Sequence, residues 1–77
     1  MIVKLTGEFA TLTGRQEVKI YGPSNIKNLL SELDNAFPNY GWDNCNVAIN
    51  GIMYSNAWLQ PITESDEIVI MPLIEGG

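Results

Sequence analysis

The feature that most constrains the fold is a near-continuous apolar run, EIVIMPL, at residues 67–73. A strand that is apolar on both faces usually lies in the middle of a sheet. Pro72 has no N–H to donate to a ladder, so regular pairing is expected to stop at or near it. The run therefore predicts a central last strand, with residues 74–77 left outside the sheet.

Two alternating segments near the start predict two more strands. In residues 2–9, IVKLTGEF, apolar and polar side chains alternate as far as Phe9, and residues 16–22, QEVKIYG, alternate again. Thr13 and Gly14 lie between them in a turn-forming stretch. The two strands are so close in sequence that they predict an antiparallel hairpin.

A change of period in residues 22–37 predicts one amphipathic helix. Ser24 is the predicted N-cap, because its hydroxyl accepts a bond from an orphan backbone N–H. Pro38 is expected to end the helix. The apolar side chains recur every three or four positions and so share one stripe; they are Ile26, Leu29, Leu30, Leu33 and Phe37.

Asn50-Gly51 between apolar residues is a strong hairpin signal, and a short strand is expected at residues 52–54. Trp58, Leu59 and Ile62 are the expected anchors of the loop that follows. The order of elements predicts an α+β fold, a mixed sheet of about four to five strands with one main helix packed on one face. With the last strand beside the first, this is the β-grasp or ubiquitin-like roll.

Charge and composition exclude several classes of function. The net charge is −5 and the basic residues are scattered, which argues against a nucleic-acid partner. A partner with a basic surface and a purely solubilising role for the acids both remain open. No segment has the length of a membrane span or the pattern of a signal peptide. Cys45 is the only cysteine, so no internal disulfide forms, and a cytoplasmic location is expected.

Catalytic groups are scarce. The sequence has no histidine and no phosphate-binding glycine loop, so we expect a protein that is not itself an enzyme. Cys45 has no basic neighbour in sequence and is expected to be unreactive. Glu64, Asp66 and Glu67 crowd one turn, where a hard cation or simple solvation are the alternatives; we expect no metal site. Trp42 and Trp58 suit either the core or a partner surface.

The sequence ends in PLIEGG, residues 72–77. Two glycines leave the Gly77 carboxylate without a neighbouring side chain, so the tail is able to thread a narrow cleft. An ionised carboxylate is a usable nucleophile toward an activated phosphate, but it becomes an acyl donor only after conversion, for example to an acyl adenylate. We expect a single domain at residues 1–73 and a flexible tail at residues 74–77.

VAINGIMYSN followed by ITESDEIVIMPLIEGG resembles the C-terminal half of the small, sulfur-carrying subunits of molybdopterin synthases, ubiquitin-like proteins related to the thiamine-pathway carrier. The resemblance implies that an adenylyltransferase similar to ubiquitin-activating enzymes uses ATP to activate Gly77. A sulfur donor, a cysteine desulfurase or a rhodanese-like protein, would then form a thiocarboxylate. The tail would deliver its sulfur inside the large synthase subunit.

The resemblance also assigns roles along the end of the chain. Gly77 would carry the sulfur, Gly76 would permit threading, and the residues before them would contact partners. Those partner-binding residues are Met71, Pro72, Leu73, Ile74 and Glu75. No cofactor would be bound permanently, and the catalytic residues would belong to the partners. A carrier for thiamine or another sulfur pathway, a ubiquitin-like protein modifier, and a binding module with incidental glycines are the alternatives.

Overall fold

The computed structural model describes residues 1–73, and the predictions made for Ile74, Glu75, Gly76 and Gly77 lie outside the described residues. Within residues 1–73, no helix has the length and apolar character needed to cross a membrane. The helices and strands follow one another as β1 (Ile2–Leu5), α1 (Gly7–Thr13), β2 (Glu17–Lys19), α2 (Ile26–Ala36), β3 (Cys45–Ile49), β4 (Ile52–Tyr54) and β5 (Ile68–Pro72).

The strands form one mixed, five-stranded sheet in the order β2-β1-β5-β3-β4. β5 pairs parallel with β1 and antiparallel with β3, so the predicted central position of the last strand is confirmed. Ile68 and Ile70 are fully buried in the core. The strand ends at Pro72, as its missing N–H predicts. The architecture is the predicted β-grasp.

Helix α2 covers one face of this sheet with the predicted apolar stripe, although Phe37 lies at the C-cap and is only partly buried. Its N-cap is Asn25, whose Oδ1 accepts the N–H of Asn28 at 2.8 Å. The Asn28 side chain in turn accepts the N–H of Ser24 at 3.2 Å. The prediction of Ser24 as the cap was therefore wrong by one residue. The buried positions are Ile26, Leu29, Leu30 and Leu33.

The predicted first strand is too long, because β1 ends at Leu5 and the chain enters α1. Gly7 has a φ of 56°, a left-handed conformation that favours glycine and that breaks the extended chain. Phe9 is buried, but on a helix rather than on a strand. Gly14 ends α1 with a φ of 70°. β1 and β2 pair antiparallel as predicted, with a helix instead of a tight turn between them.

The Asn50-Gly51 hairpin is confirmed. Asn50 and Gly51 have φ values of 53° and 84°, and Ile49 lies opposite Ile52 across the turn. Positive φ at both central positions matches the twist of the two strands, which is why this dipeptide favours the turn. β4 covers the predicted residues 52–54.

The loop after β4 uses only part of the predicted set of anchors. Ile62 is buried and Trp58 is partly buried against the core. Leu59, however, is 76% exposed, so its prediction as an anchor was wrong. It lies inside a tight turn in which Gln60 N–H donates to the Ala57 carbonyl at 2.9 Å, and in this turn Trp58 contacts the core while the Leu59 side chain stays at the surface.

Candidate functional site

The candidate site is the end of the sheet from which the tail sequence leaves β5. Pro72 lies opposite Cys45 of β3 on one side. On the other side, the N–H and the hydroxyl of Thr6 both donate to the Ile70 carbonyl at 3.0 Å. The last strand is therefore hydrogen-bonded on both sides almost to its end, and residue 73 is where the tail is expected to leave the sheet. Leu73 itself is 48% exposed.

An apolar strip crosses the sheet face opposite α2. Val69 lies beside Ala48, and Ala48 lies beside Met53 on the edge strand β4. Met71 belongs to the same face, because side chains two positions apart in a strand point the same way. We call Val69, Met71, Ala48 and Met53 the outer strip. Met53 is 52% exposed, and Val69 and Met71 are partly exposed.

Charged residues border the outer strip on the side of β1 and β2. Lys4 lies opposite Val69 of β5 and opposite Glu17 of β2. Lys19 lies opposite Ile2, which is 47% exposed on the same face. An apolar centre with a charged margin is the usual composition of a protein-binding surface.

Sequence reasoning placed only part of this site. Met71 and Pro72 end β5 and Leu73 follows them directly, and their role in partner binding stays a prediction. Val69, Ala48 and Met53 were not identified. The sequence contained one signal for these residues, since EIVIMPL is apolar on both faces. We interpreted that pattern only as evidence that the strand is central, although α2 covers only one of the two faces.

Cys45 is not a reactive group of this site. Its thiol is buried and donates to the Trp42 carbonyl at 3.0 Å. Burial, with a smaller effect of the Asp43 charge, raises the pKa of Cys45 to about 11. A thiol that stays protonated neither attacks an electrophile nor binds a metal, so the expectation of an unreactive cysteine agrees with its surroundings.

The carboxylates of the acidic turn accept internal hydrogen bonds. Glu64 accepts hydrogen bonds from the Met1 ammonium at 2.8 Å and from the Gly22 N–H at 3.4 Å. Asp66 accepts the Thr63 N–H at 2.8 Å. Hydrogen bonds hold the pKa of both carboxyls below their ordinary values. In residues 1–73, no three side chains of the metal-binding types lie close enough together to hold an ion.

The two tryptophans have different environments. Trp42 is 2% exposed, and its indole N–H donates to the Phe37 carbonyl at 2.8 Å. Of the two alternatives, core or partner surface, Trp42 therefore belongs to the core. Trp58 is partly buried against the core and keeps part of its surface beside α2.

Comparison with known proteins decides the family. The ThiS family model matches residues 3–77. The chain belongs to the ThiS family. This confirms the resemblance to ubiquitin-like sulfur carriers. ThiS-family proteins of this kind carry sulfur and are not catalysts themselves. Among curated protein sequences, none matches the chain significantly.

Two solved structures show the same fold as this ThiS-family chain. SAMP1 from Haloferax volcanii is 26% identical, with a TM-score of 0.72 over 100% of this chain and 98% of its own. A protein described as molybdopterin converting factor, subunit 1, from Pyrococcus furiosus is 22% identical. That likeness has a TM-score of 0.67 and covers 95% of each chain. Each likeness covers at least 95% of both chains, so the shared β-grasp fold accounts for nearly all of each protein.

Proposed function

We propose that this ThiS-family chain carries sulfur on the carboxylate of Gly77 and donates it to molybdopterin biosynthesis as the small subunit of a molybdopterin synthase. The observation that carries the proposal is that the family match includes both terminal glycines. The choice of molybdopterin over thiamine follows the resemblance of the sequence to the small subunits of molybdopterin synthases, and a converting-factor subunit shares the fold. The lack of histidine fits a carrier whose chemistry is done by its partners.

The chemistry begins with an ionised carboxylate, since the reference pKa of a terminal carboxyl is about 3.5. On a partner adenylyltransferase, the carboxylate oxygen attacks the α-phosphate of ATP and displaces pyrophosphate. The terminal persulfide sulfur of a donor, a cysteine desulfurase or a rhodanese-like protein, then attacks the acyl carbon and displaces AMP, which gives an acyl disulfide. A thiol reductant cleaves this S–S bond, leaving the thiocarboxylate and forming a disulfide with the donor's sulfur. ATP is a substrate of the activating enzyme and not a cofactor of this chain. These steps belong to a reducing cytoplasm.

The large synthase subunit is the proposed acceptor of the tail, and the outer strip is its proposed docking surface. Met71 joins the strip to Pro72 and Leu73, so docking and tail insertion would use one continuous surface. Ordering the tail costs about 1 to 2 kcal/mol per residue. Burial of Leu73 and Ile74 would offset part of that cost at about 25 cal/mol per Å². Gly76 and Gly77 would then pass through a narrow channel.

Intact-mass analysis tests the proposal. The full chain is coexpressed with an activating enzyme and a sulfur donor that are shown to modify their own carrier. We expect a mass increase equal to the replacement of one oxygen by sulfur, and no increase when Gly77 is deleted. Gly76→Ala should keep the fold and lose sulfur transfer in an assay with the large subunit. An unmodified wild-type chain beside a modified control carrier would refute the proposal.

A ubiquitin-like modifier is the second candidate function, because the chain is 26% identical to SAMP1 along its whole length. A second structure of that protein is described as small archaeal modifier protein 1. In this function the activated Gly77 would form an isopeptide bond with a lysine of a target. Cell protein digested with a protease that cleaves after glutamate, and so after Glu75, should carry diglycine remnants on lysines, and their loss when Gly77 is deleted would support this function. Their absence beside a thiocarboxylate would leave sulfur transfer as the function.

A further inference from the structure

A groove of about 800 Å³ runs along the exposed flank of α2, on the opposite side of the sheet from the outer strip. Its size lies within the roughly 300–1,000 Å³ typical of binding clefts. One wall is formed by Asn39, Gly41, Trp42 and Asp43, and the other by Trp58 and Leu59. The floor consists of side chains that share one stripe of the helix, which are Lys27, Leu30, Ser31 and Asp34.

The first wall is fixed by its own hydrogen bonds. The Trp42 indole N–H donates to Phe37, and the Asn44 N–H donates to the Gly41 carbonyl at 2.9 Å. Asn39 and Gly41 have φ values of 71° and 70°, which bend the loop sharply around the end of α2. This wall is therefore formed before any partner binds.

The second wall is tied to the start of α2. Lys27 N–H donates to the Trp58 carbonyl at 2.8 Å, and the turn between Ala57 and Gln60 is closed by a hydrogen bond. Leu59 is held in that turn with 76% of its surface exposed. Because the backbone of this turn is already fixed, binding at Leu59 orders only its side chain.

The groove has opposite charges at its two ends. Lys27 lies in the first turn of α2, whereas Asp34 lies toward its other end and Asp43 lies in the loop that follows. Within residues 1–73, neither aspartate makes an ion pair or a side-chain hydrogen bond. The acidic end therefore favours a cationic group.

This charge pattern decides between possible occupants. The tail of the same chain carries Glu75 and a terminal carboxylate, which Asp34 and Asp43 repel. A second copy of the chain brings a net charge of −5 and is also disfavoured. A segment with a basic residue matches the acidic end, and a large apolar side chain matches Trp58 and Leu59.

We propose that this groove binds a short segment of a partner protein in which a large apolar side chain lies close to a lysine or arginine. The apolar side chain packs on Leu59, Trp58 and Leu30, and the basic group pairs with Asp34 and Asp43. This site is independent of the proposed sulfur chemistry. Because it lies behind the sheet, it stays accessible while another protein covers the outer strip.

The experiment selects a phage-displayed library of random peptides on the immobilised full chain. Enriched peptides are then synthesised and their affinities are measured. The test variants are Leu59→Ser and the double variant Asp34→Asn, Asp43→Asn. The matched controls are Leu12→Ser, also an exposed leucine, and Glu32→Gln, an exposed acid of α2 outside the groove. All four proteins are checked for an unchanged thermal unfolding midpoint.

We expect the enriched peptides to share an aromatic or large aliphatic residue near a lysine or arginine. Each test variant should weaken binding about tenfold or more, and the controls should not. Amide chemical shifts on binding should change at residues 27–34, 39–43 and 58–59. Peptides without a basic residue, equal affinity for the test variants, shifts confined to the outer strip, or no enrichment would each overturn the proposal.

Discussion

Phe9 of α1 stacks on Trp42 of the loop after α2, with ring centroids 4.7 Å apart and planes 11° apart. Both side chains are almost fully buried. The stack joins two segments: α1, which directly follows β1, and the first wall of the groove, which directly precedes β3. It therefore fixes two chain segments at the end of the sheet where β5 finishes.

Phe9→Ala should lower the free energy of unfolding by about 3–5 kcal/mol, because it removes a buried ring and leaves a cavity beside Trp42. Urea denaturation followed by far-UV circular dichroism measures the change. Leu12→Ala is the matched control on the same helix, where 45% of the leucine is exposed, and it should change stability much less. Equal losses in the two variants would contradict the packing of α1 described above.

Asn25→Ala should destabilise the protein by about 0.5–2 kcal/mol, because the Asn28 N–H loses its side-chain acceptor at the start of α2. Ser24→Ala is the control, since only the backbone N–H of Ser24 takes part in the cap. Thermal unfolding of both variants distinguishes the two positions. A larger loss for the serine variant would show that the helix begins one residue earlier.

Glu64→Gln should remove a pH-dependent part of the stability. The hydrogen bond from the Met1 ammonium, and then that from Gly22, lower the pKa of Glu64 from its ordinary value of 4.5. The carboxylate therefore stabilises the fold above that value, and this stabilisation is lost as pH falls through the lowered pKa.

Urea unfolding across a pH series measures this effect. The difference between the wild type and Glu64→Gln should be constant at neutral pH and should disappear in acid. Glu32→Gln, which changes an acid without a hydrogen bond in the described chain, should give no such pH-dependent difference. A difference for Glu64→Gln that persisted unchanged into acid would rule out the ion pair as its cause.

Cys45 should react slowly with iodoacetamide in the folded protein. A pKa raised from 9.0 to about 11 lowers the thiolate fraction about a hundredfold at pH 8, and burial slows access further. Mass spectrometry of timed samples, with and without urea, measures the rate. Labelling as fast in the native protein as in urea would show that Cys45 is exposed.

Met53→Lys should weaken binding of the proposed partner, the large synthase subunit, about tenfold or more, because it places a charge at the most exposed side chain of the outer strip. Ile52→Lys is the matched control: it changes the neighbouring residue of β4, which is 61% exposed and lies on the other face. Titration calorimetry with the purified large subunit measures both. Loss of binding in both variants, or in neither, would place the docking surface elsewhere.

The sequence predicted best where local chemistry decides the backbone. Asn50-Gly51 permits positive φ at two successive positions, and the hairpin and β4 followed from it. The central β5 followed from its apolar character. Phe9 misled the prediction because its spacing from Leu5 fits an alternating strand as well as a helix. Ser24 and Asn25 are both good caps, and only the observed hydrogen bonds distinguish them.

The two proposed binding surfaces were harder to predict for a different reason. The outer strip joins Met53 to Val69 only through strand register, and the groove joins Asp34 to Leu59 only through packing. Neither pair has a spacing in the sequence that marks it. Met71 and Pro72 were predicted because they shortly precede the diglycine in the sequence, whereas their neighbours across the sheet come from distant segments.

The central place of β5 has a mechanical consequence. Its neighbours β1 and β3 are both hydrogen-bonded to it, and in the antiparallel pair these bonds run perpendicular to the strand. A pull applied beyond Leu73, along the strand, therefore loads both ladders in shear, so many bonds must fail together rather than one after another. A partner bound to the end of the chain can therefore pull on it without unfolding the domain.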